Sequence, residues 1–235
     1  MFENIIKNVH NRHPLIHCIT NYVSINDCAN IVLACGGAPI MAEDINEVSQ
    51  ITSICQGLDI NIGMLNDNKL SSMLKAGATA NELGIPVILD PVGAGSSDYR
   101  IKAVQNLMSN VQFGVIRGNV SEIKAIAAKQ GIHNIAAGVY ETMQKNKSAM
   151  GVEAGIADKI TDDNIKEMAD FINKLSQKTG AVIAVTGRID MVADENRVYA
   201  IRNGHKMMSL VTGAGCQLSA LTSAYVAADK EHILE

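Results

Sequence analysis

Short, almost wholly apolar runs recur along the chain, and each one ends in a small cluster of polar residues and glycines. LIHCI, APIMA, LDINIG, IPVILDPV, FGVIRGN and AVIAVTG are the runs. Strands that alternate apolar and polar residues have one face in water; runs this uniformly apolar are covered on both faces. Between them lie amphipathic stretches of helical period, at 24–35, 47–55, 70–83, 98–110, 120–131 and 165–175, with an apolar helix at 213–228. Gly36-Gly37 and Gly84 supply helix stops. MVADENRVYAI reads as a hairpin turning at Glu195-Asn196. This alternation predicts an α/β fold: a doubly wound three-layer sandwich with a mostly parallel central sheet and right-handed crossovers.

Such sheets bind ligands at the carboxyl ends of their strands. NIGM, DPVGAG, RGNVSE, VTGR and TGAGC all follow strand runs. They are therefore predicted to share one edge and one site. Residues 131–158, rich in Ala, Gly, Lys and Gln, break the rhythm and read as an insertion with a short helix near 139–147.

Composition removes several classes of function. A net charge of −4 leaves no electrostatic footprint for nucleic acid, and 3% aromatic residues leave few base-stacking platforms. No apolar run reaches bilayer length, and the first residues place Phe2, Ile5, Ile6 and Val9 on one helical face rather than in a signal-peptide core. The reading is a cytoplasmic protein that engages neither nucleic acid nor membrane. The odd number of cysteines, without CxxC or His/Cys spacing, reads as free thiols; Cys18, Cys28, Cys35 and Cys55 are expected as small buried residues, and His17 as a satisfied strand residue.

Chemistry concentrates in VTGAGC. Gly213, Ala214 and Gly215 allow a tight turn at a helix N-terminus, whose free N–H groups and dipole make an anion site suited to a transferring phosphoryl group. Cys216 lies in the first turn. There the dipole predicts a lowered thiol pKa and a role as proton acceptor for an attacking alcohol. Arg117 can contact phosphate, Asn119 and Glu122 can hold hydrated magnesium, and Asp90 can reach the metal through water. Thr186 and Gly187 suit close approach to nucleotide phosphates. ITNYVSIN offers polar residues at a strand-to-helix turn, fit for a small organic substrate or a subunit contact. Met41 reads by composition as a core methionine. There is no Walker A string and no HRD or DFG set.

The strings PLIHCITNYVSIN, GGAPIMA, LDINIGML, GIPVILDPVGAG, RGNVSEI, TGAVIAVTGR and VTGAGCQLSALTSAYVAA, in this order, resemble the hydroxyethylthiazole kinases of the ribokinase superfamily. The resemblance implies a single ribokinase-like domain over 1–235, without the further C-terminal helical stretch usual in that family and with a longer segment at 131–150. It implies ATP-dependent, Mg2+-dependent phosphorylation of 4-methyl-5-(2-hydroxyethyl)thiazole in thiamine biosynthesis or salvage, in a homotrimer with active sites at subunit interfaces. It implies that Met41 and Gly213 contact the thiazole, Arg117 and Thr186 contact ATP, Asp90 and Glu122 position magnesium, and Cys216 stands where most of the superfamily has an aspartate base. Two other readings stay open on residues alone: another vitamin-precursor or sugar kinase or an ADP-forming dehydratase of this superfamily, and a non-catalytic thiazole- or nucleotide-binding protein.

Overall fold

The computed structural model describes residues 2–132 and 159–234. The insertion expected at 131–158, with its short helix, falls almost wholly outside the described residues. The elements run α1 (Phe2–Arg12), β1 (Leu15–Ile19), α2 (Ile25–Ala34), β2 (Ala38–Ile40), α3 (Val48–Ile54), β3 (Gly57–Asn61), α4 (Asp67–Glu82), β4 (Val87–Asp90), α5 (Asp98–Asn110), β5 (Val115–Asn119) and α6 (Val120–Lys129). After the segment outside the description come α7 (Ile165–Thr179), β6 (Val182–Thr186), β7 (Asp190–Ala193), β8 (Val198–Ile201), a 3-10 turn (Lys206–Leu210) and α8 (Ala214–Ala228).

The strands form one sheet in the order β2-β1-β3-β4-β5-β6-β7-β8. The pairs from β2 through β6 are parallel; β7 and β8 form the hairpin read from MVADENRVYAI and add antiparallel. The chain steps from β1 outward to β2, returns to β3, and then winds the other way. The order thus reverses beside β1, where a crevice opens at the carboxyl ends of the strands. In register, Asn61 stands opposite Asp90, and Asn119 opposite Thr186, so these strand ends share one edge.

Each face of the sheet is covered. One core joins Leu58, Ile60, Leu89 and Ile116 to Met73 of α4, Leu107 of α5, Ile123 of α6 and Phe171 of α7. The other joins Ile16 and Cys18 of β1 to Cys28 and Val32 of α2 and to Cys216, Ala220 and Ala224 of α8. Burial on both sides is why the strand runs lack polar alternation.

Local signals set the helix starts. Asn66 accepts from the Lys69 backbone N–H and Ser97 from that of Arg100. Asn119 and Glu122 form a reciprocal capping box at α6. Arg100 then ties the loops after β3 and β4 together by donating to the carbonyls of Ile62, Gly63 and Val92. His17 is satisfied by Thr52 Oγ1 and the Ala42 carbonyl. Cys18, Cys28 and Cys55 are buried free thiols, while Cys35 is only half-buried. The predicted apolar face of α1 is narrower than its pattern: Val9 is fully buried but Ile6 is exposed, because α1 meets the rest of the fold along little more than α8. Among the described residues, no helix is long and apolar enough to cross a membrane.

Candidate active site

The carboxyl edge gathers a continuous polar network. Asn21, just after β1, donates from Nδ2 to Asn61 Oδ1 at 3.1 Å, and Asn61 donates to Asp90 Oδ2 at 2.8 Å. The same Asn21 amide lies 3.2 Å from Cys216 Sγ. Asn21 Oδ1 is in turn held by the backbone N–H groups of Val23 and Ser24 and by the Ser24 hydroxyl. One asparagine therefore joins the end of β1, the end of β3 and the first turn of α8.

α8 begins at Gly213, with φ at +75°. A side chain there would be strained by that conformation and would also meet Ser24 Cβ at 2.7 Å. At Gly215 the constraint is softer: a Cβ would come within 2.7 Å of an Arg117 guanidinium nitrogen, the far end of a long side chain, which would have to shift. The guanidinium lies against the backbone at the start of α8, donates to Thr186 Oγ1 at 2.6 Å, and stands 3.7 Å from Asp90 Oδ1. A fixed cation and a helix N-terminus at one spot make a strong anion pocket.

Glu122 closes the other side. Its Oε1 accepts from the Gly93 N–H at 2.9 Å and its Oε2 from the Asn119 N–H at 2.8 Å. It thus ties DPVGAG to RGNVSE. Burial, with help from the neighbouring Asp90, pushes its carboxyl up to about 7. Burial also raises Asp90, with Arg117 opposing. Asp90 Oδ1 has no hydrogen-bond partner among the described residues.

The residues picked out from sequence therefore converge. Asp90, Arg117, Glu122, Thr186, Gly213 and Cys216 line one edge, and Met41, half-buried after β2, packs against the cluster that contains Cys216. One expectation is corrected. The helix dipole predicts a lowered Cys216 thiol, but burial and then the charge of Asp90 push it up, against the lowering effect of the Ser24, Asn21 and Asn61 hydrogen bonds. The network also contains Asn21 and Ser24 of ITNYVSIN and Asn61 of NIGM, strings marked in the sequence although nothing there assigns these residues an individual role.

Among the described residues, no three His, Cys, Asp or Glu side chains form a metal cage. Asp90 and Glu122 nonetheless fit magnesium. This ion keeps several waters and is held by one or two carboxylates together with substrate phosphates. Two buried carboxyls, each raised by burial and Glu122 further by the charge of Asp90, one with an oxygen that lacks a partner, are stabilised by such a cation.

A doubly wound sheet with an anion pocket at the carboxyl edge of its strands, carboxylates beside the pocket and the Cys216 thiol on the same edge defines a small-molecule kinase of ribokinase-like architecture. The ADP complex of Bacillus subtilis pyridoxal kinase has this fold, with a TM-score of 0.63 at 16% identity over 94% of this chain and 86% of that one. The family model for the hydroxyethylthiazole kinase family matches residues 6–161 and 136–235. A hydroxyethylthiazole kinase of Clostridium acetobutylicum is 52% identical over 100% of this chain and 80% of its own length. The structure of the hydroxyethylthiazole kinase protein of Pyrococcus horikoshii superposes with a TM-score of 0.79 at 33% identity, covering 95% of this chain and 75% of that one. The chain belongs to the hydroxyethylthiazole kinase family, and it is a kinase with ATP as co-substrate.

Proposed function

We propose that this protein transfers the γ-phosphoryl group of MgATP to the primary hydroxyl of 4-methyl-5-(2-hydroxyethyl)thiazole, as a step of thiamine biosynthesis or salvage. The observation that carries this reading is the Arg117 guanidinium lying against Gly215 at the start of α8, with Thr186 and Asp90 beside it. Arg117 and Thr186 bind the ATP phosphates, and the first turn of α8, with its helix dipole, receives charge that develops on the transferring group. Met41 and Gly213 flank the thiazole. Asp90 and Glu122 would hold a hydrated magnesium ion, which would supply neutralisation of the phosphate charge.

The alcohol attacks in line from the side of Cys216. Phosphoryl transfer through a loose transition state depends on positioning and charge far more than on a strong base. A thiol whose proton affinity is raised therefore suffices as the partner of the hydroxyl. Cys216 Sγ orients the hydroxyl; as its oxygen bonds to the γ-phosphorus the bond from that phosphorus to ADP breaks, and the hydroxyl proton passes to an oxygen of the transferred phosphoryl group.

The protein acts as a cytoplasmic homotrimer with sites at subunit interfaces. Support comes from apolar side chains left in solvent near the site edge, among them Tyr22, Val23, Met207, Met208 and Leu210, the last 81% exposed.

ADP release from MgATP with hydroxyethylthiazole, beside ribose and pyridoxal, tests the reading. Release that depends on the thiazole supports it. Release with another alcohol and none with thiazole overturns the substrate assignment.

A further inference from the structure

Lys69 is almost fully buried, yet its helix does not need its side chain. Asn66 caps α4 through the Lys69 backbone N–H alone. Burying an ammonium group is costly unless it is paired and hydrogen-bonded, and Lys69 is satisfied by groups from two other loops. Its Nζ donates to the Thr20 carbonyl, pairs with Glu43 Oε2 at 2.8 Å, and stands 4.6 Å from the centre of the Tyr22 ring. The Tyr22 hydroxyl donates to Glu43 Oε1, which closes the set. Burial works against the Glu43 charge, but Lys69 and Tyr22 outweigh it and hold that carboxyl below its usual range.

These contacts have a definite location. Thr20 and Tyr22 are the residues on either side of Asn21, whose amide meets Cys216 and Asn61. Glu43 lies two residues beyond Met41 in the loop after β2. Lys69 therefore holds the backbone before Asn21 and the side chain after it, and fastens both to the Met41 loop through Glu43. β1 and β2 occupy the flank of the sheet opposite β5 and β6, which carry Arg117 and Thr186. We propose that Lys69, through Glu43 and Tyr22, is a positioning residue for the alcohol side of the reaction and leaves the ATP side untouched. The proposal rests on the assignment of Met41 and Cys216 to the alcohol half-site.

The test is steady-state kinetics in both substrates for Lys69→Met, Glu43→Gln and Tyr22→Phe, with thermal midpoints measured alongside. Lys69→Met retains the apolar stem and removes the charge. A charge-assisted hydrogen bond that positions a substrate contributes roughly tenfold or more. The expected result is an alcohol KM raised about tenfold in Lys69→Met and severalfold in the two exposed variants, with the MgATP KM unchanged. An unaltered alcohol KM in folded Lys69→Met overturns the proposal, as does an equal rise in both KM values. If Lys69→Met does not fold, an unaltered alcohol KM in both Glu43→Gln and Tyr22→Phe overturns it. If the wild-type protein favours an alcohol other than the thiazole, the substrate assignment fails, and the same comparison with that alcohol still decides the role of Lys69.

Discussion

Asn21 and Cys216, separated by 195 positions in the chain, meet amide nitrogen to sulfur at 3.2 Å. That contact fixes the position of a thiol that burial, and then the charge of Asp90, make a poor acid. On the proposed mechanism Cys216 supplies positioning rather than basicity.

Replacement of Cys216 tests this directly. Cys216→Asp retains a polar group of similar reach with an ordinary pKa of about 3.9, so it is expected to keep or exceed wild-type kcat. Cys216→Ala removes the partner of the hydroxyl and is expected to lower kcat by roughly 10²-fold, the scale of a misplaced reacting group. Saturating turnover measurements decide it. Equal losses in both variants would remove Cys216 as the hydroxyl's partner.

Arg117→Lys probes the anion pocket. The planar fork reaches Thr186, Asp90 and the Gly215 backbone together, which a point charge on a flexible stem cannot do. The KM for MgATP is expected to rise about tenfold, with the alcohol KM little changed. An unaltered ATP dependence would place the nucleotide elsewhere.

Glu122→Gln retains one acceptor for Gly93 or Asn119 but removes the charge. The magnesium concentration for half-maximal activity is expected to rise by roughly tenfold. A magnesium titration that superposes on wild type would exclude Glu122 from the metal site.

Asp59 yields a prediction about pH. It is fully buried on β3, and neither carboxylate oxygen has a hydrogen-bond partner among the described residues. Burial, reinforced by Asp90, holds its pKa well above the usual carboxylate range. A raised acid binds its proton more tightly in the folded state. Its stabilising contribution is complete below the unfolded value of about 3.9 and is lost as pH rises through the folded one. Asp59→Asn is uncharged at every pH. It is expected to match wild type near pH 4 and to exceed its thermal midpoint by about 2–4 °C near pH 7.5, the shift that roughly 1 kcal/mol gives at this size. Parallel midpoint-against-pH curves for the two proteins would contradict the argument.

Much of this was legible before any coordinates. The uniformly apolar runs required a sheet covered on both faces, and the polar clusters behind them required a site at one edge. VTGAGC, RGNVSE and DPVGAG do meet there. What the sequence hid is what depends on partners far away. Asn21 and Asn61 lie in the marked strings ITNYVSIN and NIGM, but nothing local shows that 40 positions of separation close to one hydrogen bond. Lys69 looks like a solvated helix residue, because nothing near it in sequence announces Thr20 or Glu43. Asp59 occupies an apolar strand with no local hint that both its oxygens lack a partner. The sign of the Cys216 shift was misread for the same reason: the dipole is local and visible, whereas Asp90 and the surrounding burial are not.

The position of α8 bears on how the protein is born. Ile16, Cys18, Cys28 and Val32 lie near the start of the chain, and the helix that covers them runs from Ala214 to Ala228. During synthesis at about 5–20 residues per second, this half of the interior has no cover for some ten seconds or more. The nascent chain displays a sticky, thiol-bearing surface throughout that interval. Chaperone capture should therefore be strongest on ribosomes paused before residue 214 and should cease once α8 has emerged.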